Sequence, residues 1–240
     1  MPEVVIFDLD DTLYDHLRSA RHGLVKMSER HSAMRTVSVE ELERRYSDAL
    51  ESIHVRLLHG EVTQREARIA RIQQLFRSFE LTIDEDTAIR EYTQFRYDYD
   101  SVCEVVAGSR ELLNALKHRG VRLAIITNNL VEEQMKKLSQ LDLHDYFEVV
   151  SISEEVGVPK PDPKIFHVTL ERLGLGPDSA VMVGDSLRSD IVGAVGVDIR
   201  AVWLRRRMTN SDDTPPGVSV IEDNFADTGA CVTTILGERE

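Results

Sequence analysis

Five short apolar runs punctuate the chain: "VVIF" (4–7), "VRLAIIT" (121–127), "FEVVS" (147–151), "AVMVG" (180–184) and "IRAVWL" (199–204). They are nearly continuous in apolar character and rich in β-branched residues, without the alternation of a half-exposed strand. That is the pattern of a parallel sheet covered on both faces. Helical patterns lie between them. "SRELLNALKHRG" (109–120) ends in Gly120, while "LVEEQMKKLSQLDL" (130–143) and "PDPKIFHVTLERLGL" (161–175) repeat apolar positions at three- and four-residue steps. Pro163 stands near the start of the last one and Gly174 near its end. Strand–helix alternation of this kind predicts a doubly wound, Rossmann-like α/β sheet.

The alternation breaks once. From about Tyr14 to Asp100 the chain holds good helix formers with amphipathic spacing, as in "VEELERRYSDALESIHVRLLHGEVTQREARIARIQQLFRSF". The first strand is therefore expected to lead into an all-helical cap, residues 15–100. The α/β core would comprise 1–14 and 101–240, with the sheet resuming near residue 102. The polar, turn-rich "TNSDDTPPG" (209–217) reads as a loop before a last short strand, "VSVI", and a final helix.

Composition narrows the class. A 240-residue chain with 42% hydrophobic and 30% charged residues is ordinary for a globular protein. Its net charge of −13 argues against a nucleic-acid partner, which needs clustered Lys and Arg. No apolar run approaches membrane-spanning length, and "MPEVVIF" has no basic lead, so neither a membrane partner nor a secretory signal is expected. Cys103 and Cys231 form no metal-type spacing and read as free thiols of a cytoplasmic protein.

The acids at the strand ends change the picture. In open α/β sheets, ligands bind beyond the carboxyl ends of the strands. Here the first strand ends in "DLDDT", the second in "TNN" and the fourth in "GDSLRSD". If those strands are neighbours, Asp8, Asp10, Asp185 and Asp190 crowd one small volume. Such a cluster calls for a cation, and an all-oxygen donor set suits a hard divalent ion such as Mg²⁺. Asp8 and Asp10, two apart on an extended chain, face the same way, and Asp11 points elsewhere. Each element alone has a plain structural reading. Turn acids are common, Asp190 is placed to cap the helix "IVGAVG", and Lys160 reads as a loop lysine. Their joint occurrence at the strand tips favours a site.

Phosphoryl transfer is the chemistry such a set supports. A carboxylate such as Asp8, ionised at neutral pH, attacks phosphorus without a separate base. Asp10 serves as acid and base, a role for which its pKa would be raised toward neutrality. Thr127 donates its hydroxyl to a phosphoryl oxygen, Lys160 supplies positive charge, and Asp185 holds the ion.

The motifs "DLDDT" (8–12), "TNN" (127–129), "KPDP" (160–163) and "GDSLRSD" (184–190), set in this frame, resemble the haloacid dehalogenase superfamily, in its phosphatase branch with a helical cap after the first strand. The resemblance implies that Asp8 is the nucleophile and forms an aspartyl-phosphate, and that Asp10 is the acid/base. It implies that the metal is held by the Asp8 carboxylate, the Asp10 backbone carbonyl and Asp185, with Asp190 one step further out. Thr127 and Lys160 match the phosphate-binding pair, with Asn128 beside them. An acid at position 10 favours a phosphatase over a dehalogenase, and Asp11, where phosphomutases usually carry Gly, is a mild point against those. "GDSLRSDIVGAVGVDIRAVWLRR" most resembles nucleotide and acylneuraminate phosphatases.

The expected substrate is a small phosphorylated metabolite, either a nucleotide or a sugar phosphate, acted on by a monomer or homodimer. A phosphomutase or other phosphotransferase, a dehalogenase, and a non-catalytic binding protein remain the alternatives. Candidate substrate contacts are Tyr14, Asp15, His16 and "FRYDYD" (95–100), with His54, Arg56 and His59 inside the cap. "RRR" (205–207) reads as a solvated strand end or an anion contact.

Overall fold

The first apolar run forms strand β1 (Val4–Phe7), and four helices follow it: α1 (His16–Arg30), α2 (Val39–Leu58), α3 (Gln64–Arg77) and α4 (Glu85–Asp100). The chain then continues through α5 (Ser109–His118), β2 (Arg122–Thr127), α6 (Val131–Gln140), β3 (Val149–Ile152), α7 (Ser153–Val156), α8 (Pro163–Leu173) and β4 (Ala180–Gly184). A π-helical turn (Leu187–Ile191) leads into α9 (Val192–Val195), β5 (Arg200–Arg205), β6 (Ser219–Glu222) and α10 (Thr228–Leu236). This is a computed structural model, and it describes residues 1–58, 61–206 and 214–238.

All six strands pair in parallel, in the order β3-β2-β1-β4-β5-β6. β1 is thus central, between β2 and β4, with Phe7 level with Ile125 and Val183. One face buries Val4, Ile6, Ala124, Ile126 and Met182 against Ile165, Phe166 and Leu170 of α8. The other face carries the alternate residues Val5, Phe7, Leu123 and Ile125, also fully buried. Burial on both faces is why these strands read as unbroken apolar runs.

The chain divides into two compact units: Met1–His16 with Cys103–Glu240, and Leu17–Val102. Asp15 and His16 go with the first unit because the two linkers pair there, Asp15 N–H donating to Glu104 O and Val106 N–H to Leu13 O, each at 2.9 Å. The expected return of the sheet near residue 102 does not occur. Val105 makes only an isolated bridge with Tyr14, Gly108 turns the chain into α5 with a φ of 80°, and the next strand begins at Arg122.

The second unit is helical. Thr63 and Glu66 form a reciprocal capping box at the start of α3, and Asp84 caps α4 through the Thr87 N–H at 2.8 Å. Its core includes Leu24, Met27, Ile72, Leu75, Phe76 and Phe95.

Candidate active site

Because β1, β2 and β4 are neighbours, the chain leaves three adjacent strands at Asp8, Thr127 and Gly184. The Asp8 N–H continues the ladder to Val183 O at 2.9 Å, which fixes its Cα at the strand tip. The Lys160 ammonium reaches the same point. It donates to Asp8 Oδ1 at 2.5 Å and to Ile126 O at 2.8 Å, and pairs with Asp190 Oδ1 at 2.6 Å. Oxygens of Asp8, Asp185 and Asp190 lie within 4.8 Å of one another, the group of potential metal ligands that the described residues contain.

The charge balance is unequal: two buried acids, Asp8 and Asp190, and the half-buried Asp185 face one buried ammonium. Burial pushes the Asp8 carboxyl up to about 7 despite Lys160, with Asp190 and Asp10 adding to the rise. Burial, with Asp8, Asp190 and Asp11 nearby, raises Asp185 well above the usual carboxylate range. Burial works against the charge on Lys160, but Asp190 and Asp8 overcome it and hold the amine above its usual range. A site with excess buried anionic charge and an all-oxygen donor set fits a hard divalent cation. The Asp10 carboxylate is not in this group, so its expected place in the metal shell rests on its backbone carbonyl.

Asp10 departs from expectation in another respect. Burial raises its pKa, but Lys137 and His16, with hydrogen bonds from Lys137 and Gln134, outweigh this and hold it below the usual range. Two donors of α6 therefore oppose the raised pKa that the acid role needs. Lys137 Nζ lies 2.6 Å from Asp10 Oδ1, and Gln134 Nε2 donates to Oδ2 at 3.1 Å. Asp11, with a left-handed φ of 61°, turns away toward Arg206, 3.4 Å off.

Thr127 is buried, and its Oγ1 accepts from Gln134 Nε2 at 2.6 Å. Asn128, expected at the phosphate, has its side-chain amide engaged at both ends with the Lys160 main chain. Nδ2 donates to Lys160 O at 3.0 Å, and Lys160 N–H donates to Oδ1 at 2.7 Å. As a side chain it positions Lys160. Asp190 does not cap the helix "IVGAVG" but accepts from the Ser186 N–H at 2.9 Å within the π-helical turn and pairs with Lys160.

Thr12, the last residue of "DLDDT", accepts from the Asp185 N–H at 3.1 Å. Other residues of the site carry no motif-like signal. Trp203 Nε1 donates to Asp185 O at 2.9 Å. Gln134 and Lys137 read in the sequence as the polar face of an amphipathic helix, yet both are buried. Their one-turn spacing after the "TNN" tip was the available sign.

The other candidates scatter. Tyr14 is buried, its ring 5.1 Å from the Lys137 ammonium. Arg206 is no solvated strand end, for it pairs with Asp15 at 3.1 Å, while Arg205 pairs with Glu222. Phe95 and Tyr99 pack inside the helical unit and Asp98 pairs with Arg30 at 2.7 Å. Arg56 lies 3.5 Å from Glu61. Arg207, His59 and the His54 side chain lie outside the described residues, as do residues 209–213 of the expected loop.

The sequence model of the haloacid dehalogenase-like hydrolases matches residues 2–198. The chain is 32% identical over 208 residues to glyceraldehyde 3-phosphate phosphatase of Pyrococcus abyssi, covering 85% of this chain and 82% of that one. To the Methanopyrus kandleri protein of the same name it is 32% identical over 229 residues, covering 90% and 91%. Among solved structures, the HAD-hydrolase YfnB of Bacillus subtilis, bound to magnesium, superposes with a TM-score of 0.76 over 96% of this chain and 98% of that one. At 21% identity it shares the fold.

Proposed function

Because the chain belongs to the haloacid dehalogenase-like hydrolase family, we propose that it is a Mg²⁺-dependent phosphatase of small phosphomonoesters, working through an aspartyl-phosphate on Asp8. The observation that carries this reading is the Asp8 carboxylate at the tip of the central strand, 2.5 Å from a buried ammonium and grouped with Asp185 and Asp190.

Asp8 attacks phosphorus, and the ester oxygen leaves with a proton from Asp10. Water then attacks the phosphorus, its proton passes to Asp10, and the P–O bond to Asp8 breaks with its electron pair returning to the carboxylate. Lys160 favours the ionised form of Asp8 against the burial that raises its pKa and draws the phosphoryl oxygens, and Thr127 donates its hydroxyl to one of them. Asp8 and Asp185, with the main-chain carbonyl of Asp10 and Asp190 behind them, would hold Mg²⁺, which supplies charge that screens the nucleophile from the phosphate. As a base, Asp10 is in the right form. As an acid, it must exchange one of its two donors for the leaving group. The names of the archaeal relatives put a triose phosphate among the substrates to try.

The test is phosphate release from glyceraldehyde 3-phosphate, a nucleotide, a hexose phosphate, phosphoglycolate and an aryl phosphate, with Mg²⁺ and with chelator. Release that chelator abolishes is the expected result. No release from any ester, or an isomerised phosphate in place of free phosphate, contradicts the reading.

A further inference from the structure

Gln134 and Lys137 are two buried polar side chains on one face of α6, one turn apart. Burying an ammonium and an amide is unfavourable unless their hydrogen bonds are made, and here the partners are the residues of the reaction. Lys137 occupies Asp10 Oδ1 at 2.6 Å, and Gln134 occupies Oδ2 at 3.1 Å. A donor at each oxygen leaves the carboxylate one orientation. The second proton of the Gln134 amide goes to Thr127 Oγ1 at 2.6 Å. A hydroxyl that accepts there has its own proton free to point elsewhere. Gln134 Oε1 is buried with no hydrogen-bond partner. Rotating the amide to exchange its ends would turn that carbonyl against the Asp10 carboxylate, so the amide is held by its NH₂ end alone.

We propose that Gln134 and Lys137 are positioning residues, which fix Asp10 where it takes the proton of the water that hydrolyses the aspartyl-phosphate and turn the Thr127 hydroxyl toward the phosphoryl oxygens. The proposal rests on the phosphatase reading above and adds to it an assignment by half-reaction. With an aryl phosphate the leaving phenolate needs no proton, so the first step makes little demand on Asp10. In the second step water bonds to phosphorus as the bond to Asp8 breaks, and the departing proton needs a placed acceptor. Loss of the α6 donors therefore slows the second step selectively, and phosphorylated Asp8 accumulates.

The experiment is stopped-flow turnover of an aryl phosphate with Mg²⁺ by the wild type, Lys137→Met, Lys137→Arg and Gln134→Met, each checked for folding by circular dichroism. Acid-quenched protein is analysed by mass spectrometry. Lys137→Met should give a phenolate burst equal to the enzyme concentration, then steady turnover slower than wild type by about 10-fold or more. A phosphoryl group should be found on Asp8, and Lys137→Arg should restore much of the rate. Gln134→Met should give the same burst, and it carries the test if Lys137→Met does not fold. Unchanged turnover, or slower turnover with no phosphorylated protein, overturns the positioning role while leaving the phosphatase reading intact. A wild type that releases no phosphate overturns both.

Discussion

Lys160 Nζ lies 2.5 Å from Asp8 Oδ1, a hydrogen bond between two buried groups that are 152 positions apart in the chain. The ammonium is held from behind by Ile126 O at 2.8 Å and its own main chain is held by Asn128. One lysine thus sets the orientation of Asp8 and compensates part of the charge of three acids. The remainder of that charge has measurable consequences.

Stability in chelator should fall as pH rises from about 4 to about 7. Asp8 titrates near 3.8 in an unfolded chain and about 7 in the fold. Between those values the folded protein retains a proton that the unfolded chain has lost, so ∂ΔG/∂pH is negative there. Asp185, shifted the same way, adds to the slope. Mg²⁺ would replace those protons and flatten the dependence. Urea midpoints at about pH 5 and about pH 7, with and without Mg²⁺, measure this. A midpoint in chelator that is equal or higher at the upper pH contradicts the charge balance described.

Trp203 is the chain's one tryptophan, and its indole N–H donates to Asp185 O at 2.9 Å. Mg²⁺ at Asp185 should therefore change the intrinsic fluorescence, saturably, and Asp185→Asn should abolish the change. A Mg²⁺ response that survives in Asp185→Asn places the ion elsewhere.

A side chain at Gly184 meets the site directly. A Cβ there would stand 2.5 Å from both Cβ and Cγ of Asp190. Gly184→Ala should destabilise by about 1–3 kcal/mol and lower turnover by displacing the partner of Lys160. Thermal melting and phosphate release together check this, and a variant normal in both would show that Asp190 is free to move.

Asp10→Asn should harm alkyl phosphates more than aryl phosphates in the transfer of the phosphoryl group to Asp8, because a good leaving group departs unprotonated. Single-turnover rates on the two ester classes read this. Equal losses on both remove Asp10 from the acid role.

The parts legible in the sequence are those with a local signature. β1, β2 and β4 are covered on both faces, so their apolar runs stand out, and β4 occupies the same five residues as "AVMVG". Asp8, Asp185 and Lys160 were legible because each sits in a motif at a strand tip or loop. The π-helical turn at Leu187–Ile191 was not, since it is set by the Ser186–Asp190 contact at the site. Gln134 and Lys137 were hidden for a related reason. Their partners Asp10 and Thr127 come from other strands, and helical periodicity alone marks such residues as solvent-facing. The lowered pKa of Asp10 comes from those same two donors, which its own motif does not contain.

The most direct test of the account is phosphate release by Asp8→Asn beside the wild type, with Mg²⁺, on an ester the wild type hydrolyses. The substitution is nearly isosteric and removes the nucleophile, so a folded variant should release no phosphate above background and carry no phosphoryl group. Phosphate release by folded Asp8→Asn at a rate near wild type would mean that Asp8 is not the nucleophile, and the aspartyl-phosphate mechanism would be contradicted.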